Sequence, residues 1–113
     1  MSIETKEYID VDDALKRVGG NMALYQRLLG RFADGNQFEE LENLLKSGNE
    51  EEATRMAHTI KGVAANLSLL KLRFTSAELE LSLKEGTDYT AKLDELRDVY
   101  NTTMQVISEN IAT

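Results

Sequence analysis

Apolar residues recur along most of this chain at the three- and four-residue intervals of an α-helix. The first series is short. Asp10 can cap a helix carrying Ala14, Leu15 and Val18, which runs into Gly19-Gly20-Asn21. Asn21 reads as the cap of a longer helix with Tyr25, Leu28, Leu29 and Phe32 on one face. The same period resumes at Phe38, Leu41, Leu44 and Leu45 and stops at Ser47-Gly48-Asn49. Gly35-Asn36 interrupts it. One glycine costs a helix only about 1 kcal/mol against alanine, so the pattern predicts a single long helix with a weak point there.

Asn49 caps the next segment, and Glu50, Glu51 and Glu52 fill its first turn, where acids favour the positive end of the helix dipole. Its apolar series is Ala53, Met56, Ala57, Ile60, Val63, Ala64 and Leu67. From about Ser68 to Glu85 there are two stripes, Leu70, Phe74, Ala77 and Leu81 beside Leu69, Leu72, Leu79 and Leu83. That helix is therefore expected to be buried on two sides, and Gly86 ends it. Thr87 or Asp88 caps the last helix, whose seam is Leu93, Leu96, Tyr100, Thr103, Ile107 and Ile111. Four long helices with short connections predict an all-α, antiparallel four-helix bundle, with a short additional N-terminal helix as a lid.

Composition strengthens this reading. The 113 residues contain no proline, where average usage near 5% would supply about five or six, and proline is the residue that helix interiors exclude most strongly. The length fits one domain spanning residues 1–113. Charge narrows the partners: 13 Lys and Arg face 20 Asp and Glu, a net charge of −7. Nucleic acid and anionic membrane surfaces are held by clustered cations, so neither is an expected partner. The absence of cysteine excludes disulfides, thiolate nucleophiles and zinc–thiolate sites, and one histidine leaves no His-based metal cluster. No stretch approaches the ~18 apolar residues of a membrane span, and Met1 to Tyr8 is too polar for a signal peptide. A cytoplasmic monomer is the expectation, and Met1 favours a free-standing protein.

The one histidine stands out by its phase. At about 100° per residue, His58 points opposite the centre of the apolar face of its helix. Thr54 and Arg55 lie one turn before it, Lys61 and Gly62 one turn after, and Ala65 beyond. Gly62 occupies a mid-helix surface position where almost any other residue is more stabilising, which points to close approach by another molecule or a need for flexibility. With Ala65 it leaves a side-chain-free strip beside the imidazole. An exposed imidazole is a nucleophile near neutral pH. A bundle face offers no pocket or oxyanion site for a hydrolase, so this residue suits accepting a group from a partner that supplies the rest of the apparatus. A phosphoryl group fits best, because Lys61 can offset its charge. No Gly-rich phosphate loop is present, which argues against an autonomous kinase. The leucine and methionine stripes read as core, and Glu50-Glu51-Glu52 as a helix start. Lys84, Lys92, Asp94 and Glu95 read as ordinary solvated charge, with Lys84 within reach of the face around His58.

The string Ala57-His58-Thr59-Ile60-Lys61-Gly62-Val63-Ala64-Ala65-Asn66-Leu67 closely resembles the signature of histidine-containing phosphotransfer (HPt) domains of bacterial two-component phosphorelays. The run from Asp13 to Asn21, followed by Leu24-Tyr25 and Leu28-Leu29, is similar to the family's opening. Gly48 with the acidic start of the histidine helix, and Leu79-Glu80 on the next helix, extend the likeness to roughly residues 10–86. One departure is Ser68-Leu69, where the family usually has Gly-Ala; Ser68 is read here as a cap for the following helix.

The resemblance implies a helical bundle that carries phosphate on one exposed histidine, exchanging it with aspartates of response-regulator receiver domains and a hybrid histidine kinase. His58 is then the phosphoacceptor. Lys61 steadies the phosphoryl oxygens, Glu80 orients the imidazole, and Arg55, Gly62 and Ala65 form the docking surface. No cofactor is expected on this chain; magnesium belongs to the partner receiver. Such a protein is phosphorylated on histidine without itself using ATP. Two other readings stay open. One is the phosphoacceptor domain of a chemotaxis-type histidine kinase. The other is a non-catalytic adaptor that binds through the strip around Gly62 and Ala65.

Overall fold

The computed structural model describes residues 5–111, with side chains from 6 to 109. Among them are seven helices and no strand: α1 (Thr5–Tyr8), α2 (Val11–Arg17), α3 (Met22–Ala33), α4 (Gln37–Lys46), α5 (Glu50–Asn66), α6 (Leu70–Glu85) and α7 (Thr90–Ile111). In the bundle α4 packs on α5, α5 on α6 and α6 on α7, while α3 closes the ring against α7. Three starts follow the sequence closely. The Asp10, Asn21 and Asn49 side chains accept from the backbone N–H three residues on, at 3.1, 3.0 and 3.2 Å. Asp88 likewise accepts from Thr90 N, 3.0 Å away, at the entry to α7.

The core runs down the axis, with Leu41, Ile60, Leu72, Leu79, Leu96 and Ile107 essentially out of solvent. At roughly 1.5–3 kcal/mol for each fully buried aliphatic side chain, these positions carry much of the stability. On α5 the buried residues include Ala53, Ala57 and Ala64. Short side chains there let α4 and α6 approach α5 closely, and that spacing sets the site described below.

Two expectations need correction. Residues 21–46 form two helices, not one weakened helix. Asn36 leaves helical geometry (φ −115°, ψ 42°), and the reason lies 64 residues away in Tyr100. Both Phe32 and Phe38 pack on its ring, with centroids 6.0 and 5.5 Å apart. Six residues apart in one continuous helix they would point about 120° away from each other; the break turns both onto the same ring. Second, α6 is buried on one stripe only. Leu69, Leu72, Leu79 and Leu83 are in the core, whereas Phe74 is 61% and Leu81 55% exposed, because no described element covers that outer face. The expected short N-terminal helix is α2, capped by Asp10, and the four-residue α1 precedes it. Ile9 between them and Ala14 on α2 are buried, and Asp10 N donates to Ser68 O (3.0 Å), which fastens the segment to the α5–α6 turn. The α7 seam holds through Ile107; the side chain of Ile111 lies outside the described residues.

That turn also departs from expectation. Ser68 does not cap α6; the position before Leu70 is Leu69, which makes no side-chain cap bond. Ser68 instead adopts left-handed backbone, φ 58°. Ser68 N donates to Ala65 O and Leu69 N to Ala64 O, the paired bonds of a helix end that turns through a left-handed residue. That conformation costs a non-glycine residue about 1–2 kcal/mol. Partial compensation comes from the Ser68 hydroxyl, which donates to Asp13 Oδ2 at 2.7 Å.

Candidate functional site

Asn49 and the three glutamates start α5, and its apolar series fixes the helix rotation, so His58 is set outward. Its side chain is 63% exposed, while Ala57 and Ile60 beside it are fully buried. Across the groove to α6, Glu80 is the unusual group: a carboxylate on a residue only 3% exposed. Three partners satisfy it. His58 Nδ1 lies 2.8 Å from Oε2, Lys61 Nζ 2.7 Å from Oε1, and Lys84 Nζ 3.0 Å from Oε2. Burial alone would push this carboxyl up, but the hydrogen bonds from Lys61, Lys84 and His58 outweigh it and hold Glu80 at about 2. Glu80 is therefore ionised throughout the physiological range.

This fixes the imidazole. A carboxylate can only accept, so Nδ1 carries the proton and donates to Glu80, which leaves the Nε2 lone pair free. An open cleft of about 400 Å³ lies around the ring, lined by Thr54, Arg55, His58, Thr59, Glu80 and Lys84. A second cavity, of about 380 Å³, lies on the α3–α4 side of α5 among Leu28, Phe32, Val63 and Leu67 and offers no nucleophile.

The structure thus brings together His58, Lys61 and Glu80, the three residues singled out for chemistry. Arg55 lines the same cleft, with its guanidinium engaged by Glu51 (2.8 Å) and Glu52. A side chain at Gly62 would meet nothing within 4 Å, so no internal packing requires the glycine. Ala65 lies two turns along from His58, half-buried and outside the cleft. Sequence reasoning underrated Lys84, which directly grips Glu80. The signal was present in the four-residue spacing from Glu80 to Lys84, the favoured order for a helical ion pair; what the sequence hid was the burial of Glu80.

Comparison with curated proteins and with solved structures gave no match. A family model, Hpt domain, matches residues 34–105. The match begins later and ends later than the likeness in the motifs, and it takes in α4, the whole of α5 and α6 with the His58–Glu80 pair, and most of α7. With more than half of the sequence under that match, on an all-helical bundle that presents a histidine from its surface, the chain belongs to the Hpt domain family.

Proposed function

We propose that this chain is a phosphorelay intermediate that accepts a phosphoryl group on Nε2 of His58 from a receiver-domain aspartate and passes it to another. Hpt domains serve histidine phosphotransfer in phosphorelays, where they meet receiver domains and histidine kinases. The observation that carries the finer reading is the buried Glu80 carboxylate 2.8 Å from Nδ1 of an exposed imidazole.

In the transfer, the Nε2 lone pair attacks phosphorus, the bond from phosphorus to the aspartate oxygen breaks, and the aspartate leaves as carboxylate. The Nδ1 proton stays in place. The ring becomes cationic as the N–P bond forms, and Glu80 already stands where that charge develops, as carboxylates do beside catalytic imidazoles. Lys61 and Lys84 lie beside the ring to offset the phosphoryl oxygens. Arg55, Gly62 and Ala65 make up the face on which the receiver seats, and the open space at Gly62 lets its backbone come close. The receiver brings its own magnesium, and its donor upstream is a hybrid histidine kinase. The cytoplasm is the compartment for this chemistry, and no described helix is long and apolar enough to cross a membrane.

The test is incubation with a receiver phosphorylated by acetyl phosphate, followed by analysis of acid-labile phosphate. Wild type should gain it, and His58→Gln should gain none while keeping its helical signal. Acid-labile phosphate retained on His58→Gln would end this reading.

A further inference from the structure

Three of the four large apolar side chains that the described residues expose lie on α6: Leu70 at 39%, Phe74 at 61% and Leu81 at 55%. With half-buried Ala77 they are spaced four, three and four residues apart, the repeat of a coiled-coil seam. The stripe runs about 17 Å, over the first three turns of the helix. It faces away from the core formed by Leu72, Leu79 and Leu83, and no described residue covers it. Contiguous apolar surface of this kind marks an interaction site.

We infer that α6 pairs antiparallel with α6 of a second copy of this chain about a two-fold axis. In a two-fold contact, residue i meets j and j meets i. Centring the axis between Phe74 and Ala77 sets Phe74 against Ala77 of the second copy and Leu70 against its Leu81. Every bulky ring then meets a small side chain, and no seam residue is left without a partner. Charge agrees with the same register. Lys71 and Glu78 flank one side of the stripe and Arg73 the other. The pairing places Lys71 opposite Glu78 of the second copy, twice by symmetry. A parallel pairing would instead stack like charges and set Phe74 on Phe74. Within one chain Lys71 rests over the Tyr8 ring, 5.4 Å from its centroid, and Glu78 holds Lys92 at 3.6 Å; all are surface contacts that can be exchanged. The net charge of −7 on each chain opposes association at low salt, and at 0.15 M it is screened beyond about 8 Å. One helix per chain is less than a standard interface, so the dimer forms at micromolar to millimolar concentration.

The experiment is sedimentation equilibrium of the full chain from about 10 µM to 1 mM at physiological salt. The expected result is a mass rising from 12.7 kDa toward twice that value. Phe74→Glu, a surface change that circular dichroism should show to be folded, is expected to stay monomeric throughout. Lys71→Glu and Glu78→Lys should each weaken dimerisation at least tenfold, and the double swap should restore it. A wild type monomeric at 1 mM overturns the inference. So does a dimer that survives Phe74→Glu, or a double swap that fails to rescue. If Phe74→Glu instead slows transfer from a receiver while wild type stays monomeric, the stripe belongs to that other partner and the inference fails.

Discussion

Replacing Glu80 with Gln keeps shape and one acceptor oxygen but removes the charge that binds His58, Lys61 and Lys84. Glu80 is held at about 2, against 4.5 for a free glutamate. Because the folded-state value is depressed, its contribution is complete above about pH 4.5 and is lost as pH falls toward 2. At 1.36 kcal/mol per unit, the gap sets a ceiling of about 3 kcal/mol. The partners lie at the surface, with Lys84 59% and His58 63% exposed. Solvent screening and the retained oxygen therefore reduce the expected cost of Glu80→Gln at pH 7 to about 1–2 kcal/mol. Urea denaturation at pH 7, 5 and 3 reads this directly. With a slope of about 1–3 kcal/mol per molar urea, the midpoint should fall by roughly 0.5–1 M at pH 7. The deficit should shrink toward pH 3, since the other carboxylates titrate alike in both proteins. Equal midpoints at pH 7, or a deficit that stays constant to pH 3, would refute the argument that this carboxylate is ionised and held by its three donors.

Lys61→Ala should slow transfer from a phosphorylated receiver roughly tenfold, about 1.4 kcal/mol of barrier, and added salt should narrow the difference because the ammonium is partly exposed; stopped-flow rates at two ionic strengths check both parts. Gly62→Gln should stabilise the isolated fold by up to about 1 kcal/mol, since its side chain enters open space, while slowing receiver transfer; equal transfer rates would assign the glycine another cause. Ser68→Gly and Ser68→Ala both lose the bond to Asp13, so the difference between them isolates the left-handed backbone. Thermal unfolding should find the glycine variant more stable by about 1 kcal/mol, and equal midpoints would contradict the positive φ.

The histidine helix was legible because every signal that defines it is local. Asn49 caps it, Glu50 to Glu52 suit its first turn, and the period from Ala53 to Leu67 fixes which way His58 points. What the sequence concealed was decided at long range. The weakness at Gly35-Asn36 is visible, but the break is driven by two rings converging on Tyr100, more than 60 positions onward. The two apolar stripes of α6 are equally clear in the sequence, and periodicity carries no information on which of them has a neighbour. Ser68 has the side chain of a helix cap. Its left-handed turn depends on bonds to α5 and on Asp13, 55 residues upstream. Lys84 looks like solvated charge until Glu80 is known to be buried.

The charge arrangement explains why a buried carboxylate would belong beside the proposed phosphoacceptor. Before transfer, neutral His58, Glu80 and two lysines sum to +1. In the proposed product the ring gains one positive charge and the phosphoryl group about −1.5 to −2, which brings the local sum close to zero. The two new charges fall on opposite edges of one imidazole, and each meets a different group. Glu80 faces the cationic ring at Nδ1, while the ammonium groups of Lys61 and Lys84, which it holds, are the cations at hand for the phosphoryl oxygens. Glu80 also holds both ammonium groups within 3.0 Å before any phosphate arrives, so little reorganisation is left for the transfer step. On this reasoning Glu80→Gln should slow phosphotransfer as well as weaken the fold, although Glu80 contacts no phosphoryl oxygen. The slowing should exceed that of Lys61→Ala, because one substitution releases both lysines and the ring together.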